Sequence, residues 1–421
     1  MYLEKFLSVF IMIALLCTVA ACSMSETSVE QHTSQNSQQT LRETSSSVTV
    51  TNNEETTQPR SIVDELLESM TLEEKVGQLF MIDPGMLVDN FETSETSSEL
   101  LEKAEKYHIG GWIFFKPNIQ TPTQTKKLIS DLSSVSKCRP FIGVDEEGGI
   151  VSRIDSNSQM GVKKQPAMVK IGATGNPENA YQVGSELGAA LKELGFNLDF
   201  APVADINTNP NNPVIGSRSF GNEPELVAEM VAAEIRGFDS QGIISCLKHF
   251  PGHGDTFSDT HTGAASVTHD IQRLRDVELV PFQKGIDAGA DMVMIGHISV
   301  PNVTGNDEPA VISYQLVTEL LREEMGYNGV AITDSMIMRA LYDKYTLAES
   351  SVLAINAGVD ILLMQTPETS KERGTPSEQF EEAYHAVISA VKSGNITEER
   401  LNISVRRILE LKVKRGIITN S

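Results

Sequence analysis

Short, nearly uninterrupted apolar runs recur along this chain, and between them lie longer stretches in which apolar residues return every three or four positions. Eight runs have this character, at 79–82, 111–115, 141–144, 198–203, 243–247, 292–295, 330–333 and 361–364. A strand that is apolar on both faces has to be covered on both faces, which is the condition of a parallel sheet wrapped by helices. The helical period is clearest at 178–194, 223–238, 270–288 and 314–325. Eight alternations of strand and helix predict an α/β fold, a single (β/α)8 TIM-type barrel with long loops after its strands and extra terminal helices. An open doubly wound sheet is the competing architecture on pattern alone. The chain holds no G-x-G-x-x-G turn, no G-x-x-x-x-G-K-[ST] loop and no internal repeat, so neither a nucleotide-binding turn nor a solenoid is expected.

The first sixty residues do not follow this pattern. An apolar run at 6–21 follows Lys5 and stops at Cys22, too short and too near the terminus for a spanning helix, and it reads as a secretory signal. Val19-Ala20-Ala21-Cys22 resembles the lipobox of bacterial lipoproteins, in which the cysteine is lipidated and becomes the mature N-terminus. A plain signal peptide with a chance cysteine is the alternative. Residues 23–60 are mostly Ser, Thr, Gln, Asn and Glu, with no aromatic residue and no Gly, and such a segment cannot repay its ordering entropy by burial. The expected organisation is a signal peptide at 1–21, a disordered tether at 22–60 and the barrel at 61–421. The protein is then extracytoplasmic and held to the bacterial cell membrane by lipid on Cys22. Of the four cysteines only Cys138 and Cys246 remain for the barrel, enough for one disulfide at most.

Charge narrows the partners. The chain carries 57 Asp plus Glu against 34 Lys plus Arg, a formal net charge of −23. Five Glu against two Arg in the tether account for −3 of it, which leaves −20 on the barrel. Nucleic-acid binding rests on Lys and Arg neutralising phosphates, so a nucleic acid is not an expected partner. At 40% hydrophobic residues the chain can bury a large core.

In a parallel barrel the chemistry gathers where strands end, and polar residues here follow the apolar runs directly. The third run leads into Asp145-Glu146-Glu147-Gly148-Gly149 and Arg153, and the fourth into Asp205 and Gly216-Ser217-Arg218-Ser219-Phe220-Gly221. The fifth leads into Lys248-His249-Phe250-Pro251-Gly252-His253-Gly254-Asp255 and on to Asp259-Thr260-His261, the sixth into His297, and the seventh ends at Thr333 before Asp334. Glycosidic bond cleavage needs a carboxylate at the anomeric carbon and a proton donor for the leaving oxygen. Asp334, directly behind a buried strand, suits the carboxylate; a cap on a helix from Ser335 onward is its structural alternative. His261 suits the acid and base, oriented by Asp259, because an imidazole both gives and takes a proton near neutral pH. Its alternative is an exposed loop histidine. Asp145, Arg153, Arg218, Lys248 and His249 are candidates for sugar hydroxyls through charge-assisted hydrogen bonds. Otherwise Arg153 and Arg218 are ion-pair partners and His249 a satisfied core histidine. A metal held by His249, His253, Asp255, Asp259 and His261 is disfavoured by the Gly and Pro residues among them and by the lack of H-E-x-x-H or a cysteine pair. Without G-x-S-x-G a serine hydrolase is not expected.

These residues resemble glycoside hydrolase family 3, in particular its β-N-acetylglucosaminidases that act on peptidoglycan fragments. The likeness rests on the segment from Lys248 to His261, which follows the family's K-H-F-P-G-H-G…D-[ST]-H pattern throughout. Leu72-Glu73-Glu74-Lys75-Val76-Gly77-Gln78, Asp145 to Gly149, Ile215 to Phe220 and Ile332 to Met336 support it, and it spans nearly all of 61–418. One departure is Ile150, where several relatives carry Arg after the Gly-Gly pair. The resemblance implies a retaining hydrolase with Asp334 as nucleophile, His261 as proton donor and base assisted by Asp259, and sugar contacts from Asp145, Arg153, Arg218, Lys248 and His249. It implies no metal or organic cofactor, and terminal β-linked GlcNAc of peptidoglycan-derived glycans as substrate; a monomer is expected. The family's β-glucosidases take their acid/base from a further domain after the barrel, and none is expected here. Two readings stay open: phosphorolysis with the same residues, because a neutral histidine repels phosphate less than a carboxylate does, and a noncatalytic cell-wall-binding lipoprotein.

Overall fold

The computed structural model describes residues 61–260, 263–366 and 373–419, so the expected signal, the tether, Cys22 and His261 lie outside the described residues. All eight apolar runs form strands: β1 (Phe80–Ile82), β2 (Gly111–Phe114), β3 (Phe141–Val144), β4 (Leu198–Asp199), β5 (Ile244–Phe250), β6 (Met292–Ile295), β7 (Val330–Thr333) and β8 (Leu362–Met364). Each pairs in parallel with its successor from β1 to β7, and β1 also pairs with β8, Phe80 opposite Leu362. Between β7 and β8, Ile332 lies opposite Ile361, and the Thr333 N–H reaches the Ile361 carbonyl at 2.9 Å. That last contact closes the ring, and the open doubly wound sheet is set aside.

Burial inside the ring explains why its strands tolerate no polar alternation. Met81 and Phe200 fill the interior beside Gly143, where a Cβ would come within 2.7 Å of Met81 Cε and 3.0 Å of the Phe200 ring. Helices cover the outside. Two of them run Pro177–Leu194 and Pro224–Gln241, each with proline in its first turn and a glycine just past its end, Gly195 and Gly242, in the left-handed conformation. Cys138 and Cys246 are buried free thiols, so the one possible disulfide is not formed. Among the described residues no helix is long and apolar enough to cross a membrane.

Three expected boundaries shift for physical reasons. The ladder of β4 covers only Leu198–Asp199, and beyond Pro202, which has no N–H to give, a single bridge joins Val203 to Lys248. β5 continues to Phe250, three residues past the expected end, because Lys248 is buried inside the strand with carboxylate partners. The expected helix over 270–288 is interrupted where the Leu279 N–H bonds five residues back to Leu274, and its last part, Val280–Asp287, carries Pro281.

The end of the barrel where strands begin is closed by the helix Glu398–Lys414. Arg322, Arg400 and Arg407 converge on the buried Asp360 ahead of β8, and Lys414 and Arg415 on Asp291 ahead of β6. Lys412 is fully buried, donating to Gln78 Oε1 at 2.7 Å and to the Gly110 carbonyl at 3.0 Å. The opposite end is left for chemistry.

One buried acid makes stability depend on pH. Glu234, on Pro224–Gln241, is fully buried with neither carboxylate oxygen hydrogen-bonded, and burial, reinforced by Glu147, pushes its pKa up to about 8. The native state therefore keeps a proton that the unfolded chain, with a carboxyl near pKa 4.3, releases. Stability contributed by this group falls as pH rises from about 4.3 to about 8, with a loss by pH 7 on the order of 3 kcal/mol. Glu234→Gln stays neutral throughout, so its Tm should gain on the parent between pH 5 and pH 8. Parallel Tm curves over that range would remove the assignment.

Candidate active site

A cavity of about 530 Å³ opens where the strands end, lined by Asp145, Glu147, Arg153, Arg218, Lys248, His249, His253 and Asp334, with Phe91, Phe115, Val151 and Met338 among its apolar walls. All five expected sugar-contacting residues and the expected nucleophile thus share one space. Asp259 belongs to the described residues but does not line the cavity, and the expected acid/base His261 lies outside them.

Asp334 is fixed from both sides of its strand. Its N–H bonds to the Ile295 carbonyl of β6 at 2.9 Å, and the next-but-one N–H, of Met336, bonds to Leu363 of β8. His297, at the end of β6, donates from Nε2 to the Ser335 carbonyl at 2.8 Å. The Asp334 carboxylate accepts the Ser335 N–H at 2.7 Å, yet no helix starts there: the next begins at Arg339 and its cap position is Met338. The helix-cap alternative is thereby excluded. What remains is a carboxylate held at the rim of a strand and facing the cavity, the condition for in-line attack from a fixed position.

The cavity also holds an ion cluster centred on Glu147, a residue of the Asp-Glu-Glu-Gly-Gly string for which no role was expected. Glu147 is 2% exposed and accepts from Arg218 through two parallel hydrogen bonds, Nε to Oε2 at 2.8 Å and Nη2 to Oε1 at 2.7 Å. Lys248 Nζ sits 2.5 Å from the same Oε1 and 2.8 Å from Asp145 Oδ1. Arg153 lies 3.9 Å from the other Asp145 oxygen. Burial alone pushes the Glu147 carboxyl up, but the charges of Arg218 and Lys248 outweigh it and hold it well below the usual carboxylate range. The reverse holds for Lys248, whose burial is outweighed by Asp145 and Glu147 so that its ammonium is held more firmly charged. Arg153 and Arg218 are therefore both ion-pair partners and cavity walls, and the two readings do not compete.

His249 is oriented by Asp205, a second residue for which no role was expected. Its Nδ1 faces Asp205 Oδ2 at 2.7 Å and so carries a proton, and Nε2 lies 3.4 Å from Arg218 Nη2. Asp205 is fully buried, and burial would raise its pKa. The imidazoles of His249 and His253 and the backbone N–H of His253, 2.6 Å from Oδ1, lower it more. His253 shares hydrogen bonds with Thr256 at Nδ1 (2.8 Å) and Thr260 at Nε2 (3.3 Å), and burial followed by the charge of His249 lowers its pKa, so its ring is neutral at pH 7. Asp255 faces His269 instead of the cavity. Three donors of the metal reading, His249, His253 and Asp255, are thus turned to separate partners, and among the described residues no three His, Cys, Asp or Glu side chains converge as a metal would require.

Local backbone demands explain the glycines of both motifs. Gly148 and Gly149 have φ of +79° and +63°, and a Cβ on Gly149 would stand 2.7 Å from Ala167. This turn lets Glu146 fold back on the loop that follows, where it accepts N–H bonds from Arg153 and Ile154 (2.7 Å each) and from Asp155 (3.1 Å), aiming Arg153 at the cavity. A Cβ on Gly254 would fall 1.7 Å from the Ile206 carbonyl oxygen, so the loops after β4 and β5 touch backbone to backbone only because that position is Gly.

With this geometry in hand, residues 71–411 match the model of the glycosyl hydrolase family 3 N terminal domain. The "Beta-hexosaminidase A" of Pseudoalteromonas piscicida is 38% identical over 335 residues, 75% of this chain and 55% of that protein. The structure of a glycoside hydrolase family 3 beta-N-acetylglucosaminidase from Paenibacillus sp. str. FPU-7 superposes with a TM-score of 0.77 at 38% identity, over 84% of this chain and 64% of that one. The Beta-N-acetylhexosaminidase of Beutenbergia cavernae DSM 12333 superposes with a TM-score of 0.71 at 27% identity, over 82% of this chain and 99% of that one. The chain thus spans less than two thirds of the first two relatives and nearly all of the third.

Proposed function

The chain belongs to glycosyl hydrolase family 3, and on that premise we propose that it is a retaining β-N-acetylhexosaminidase that removes terminal non-reducing β-linked GlcNAc. The observation that carries the reading is the single cavity that Asp334 shares with Asp145, Arg153, Arg218, Lys248 and His249. In the first step an Asp334 oxygen bonds to the anomeric carbon as the glycosidic C–O bond breaks, and His261, assisted by Asp259, gives a proton to the departing oxygen. In the second, His261 takes a proton from water, whose oxygen displaces Asp334 and restores the carboxylate. Asp145, Arg153, Arg218, Lys248 and His249 hold the sugar hydroxyls, with Glu147 and Asp205 keeping the cations and the imidazole in place.

The natural substrate in this reading is a GlcNAc-containing peptidoglycan fragment. Digestion of a purified muropeptide by the full chain should release free GlcNAc from the non-reducing end. Release of GlcNAc 1-phosphate when phosphate is supplied would replace hydrolysis by phosphorolysis, and no sugar released from any GlcNAc glycan would leave a binding protein.

The same proposal places the enzyme outside the cytoplasm, attached by lipid on Cys22 and working as a monomer. What supports the anchor is Val19-Ala20-Ala21-Cys22 behind the apolar run at 6–21. Cys22→Ala should move the protein from the membrane to the soluble fraction, and a variant still sedimenting with membranes would sink the anchor.

A further inference from the structure

We infer that Asp255 and His269 are positioning residues for acid catalysis, clamping the two arms of the loop that carries Asp259 and His261. The inference rests on the assignment of His261 as the proton donor.

The clamp sits outside the reacting space. His269 Nε2 lies 2.5 Å from Asp255 Oδ2, and Thr208, on the loop after β4, donates from Oγ1 to Asp255 Oδ1 at 2.8 Å. Neither Asp255 nor His269 lines the cavity. Between them run thirteen residues, 256–268, which contain Asp259 and His261.

The two arms of this excursion are tied to different supports. On the incoming arm, Asn212 donates to the His253 carbonyl at 2.8 Å and Asn209 to the Thr256 carbonyl at 2.9 Å, both from the segment after β4. On the outgoing arm, Ala265–Ser266 pairs with Ile298–Ser299 beyond β6, and the Val267 N–H reaches the Ser299 carbonyl at 2.9 Å. The two arms therefore rest on loops that follow two different strands. The Asp255–His269 pair joins them directly, and Thr208 fixes the orientation of the carboxylate within it. Both side chains are about a quarter exposed, so the pair adds little to global stability while setting where a catalytic side chain between its ends can stand. Displacement of a catalytic group by about 1 Å costs on the order of 100-fold in rate.

The test compares two substrates of the full chain. The 2,4-dinitrophenyl β-N-acetylglucosaminide leaves without a proton, and the β-1,4-linked GlcNAc disaccharide needs one. His269→Ala should lower kcat/KM, which reports the first step alone, roughly 10- to 100-fold on the disaccharide and less than about threefold on the dinitrophenyl substrate. On the dinitrophenyl substrate kcat itself falls, because the second step needs His261 as base. All losses are therefore read in kcat/KM. His269→Gln, which keeps an N–H for Asp255, should recover most of the loss, and Asp255→Asn should reproduce the selective defect should the alanine variant fold poorly. Equal losses on both substrates, or none on either, would overturn the clamp. His261→Ala, run alongside, separates the two claims: a selective loss there without one in the His269 and Asp255 variants refutes the clamp alone, and no selective loss there refutes His261 as the donor.

Discussion

Asp334→Ala should abolish turnover of an aryl β-N-acetylglucosaminide, with kcat reduced on the order of 10⁴- to 10⁶-fold and the thermal transition little changed. The size follows from the role: without the carboxylate no covalent intermediate forms, and what remains is the slow attack of water on a bound sugar. The small effect on stability follows from the geometry, because the bonds that pin this turn, Asp334 N–H to Ile295, Met336 N–H to Leu363 and His297 to Ser335, use backbone groups that the substitution keeps. The vacated space also admits a small anion. Azide should restore part of the rate and give the α-glycosyl azide, the inverted product expected when a nucleophile from solution replaces Asp334. A variant that retains more than about one per cent of the parent activity, or azide rescue giving the β product, would move the nucleophile elsewhere.

Glu147→Ala should produce the largest loss of stability of any substitution around the cavity. The carboxylate compensates two cations at once, and Arg218 and Lys248 are themselves almost wholly buried. Removing one partner of a buried pair leaves an uncompensated charge and costs roughly 3–5 kcal/mol. For a domain of this size that is a fall in Tm of roughly 4–7 °C. The same change should raise KM, since Arg218 and Lys248 lose the partner that aims them. The pH dependence has the opposite sign to that of Glu234. The folded pKa of Glu147 lies below its unfolded value, so its contribution is fully present above the unfolded pKa of about 4.3 and is lost as pH falls below it. The parent and Glu147→Ala should therefore converge in stability as the solution is acidified below about pH 4. A constant gap from pH 7 to pH 3 would show that Glu147 is not the ionised hub of the cluster.

The barrel was legible in the sequence because a doubly covered parallel strand is a nearly unbroken apolar run, repeated here between stretches of helical period. The strand boundaries that slipped did so where a tertiary partner overrode the local pattern. Lys248 ends an apolar run in the sequence, yet β5 continues through it because two carboxylates from the loop after β3 meet its ammonium inside the barrel. The site divides along the same line. Asp145, Lys248, His249 and Asp334 stand just after apolar runs, which draws attention to them, while Arg153 and Arg218 lie further along the loops that follow. Glu147 and Asp205 stand in similar places, but what gives them their roles is pairing across 71 residues to Arg218 and 44 to His249, which no local pattern encodes. The Asp-Glu-Glu-Gly-Gly string did hold a usable signal. Consecutive acids at the end of a buried strand need partners, and Asp145 and Glu147 find cations in Lys248 of β5 and Arg218 of the loop after β4, while Glu146 takes backbone N–H groups.

The central claim, that Asp334 becomes covalently bound to the sugar, is tested most directly by trapping that bond. An activated GlcNAc donor with fluorine at C5 slows the second step more than the first, so the glycosyl-enzyme accumulates and can be digested and sequenced by mass spectrometry. The expected result is one added 5-fluoro-N-acetylhexosamine unit on the peptide containing Asp334, at that residue, and none in Asp334→Ala. Sugar attached to any other side chain, or full turnover with inverted product and no adduct, would contradict it.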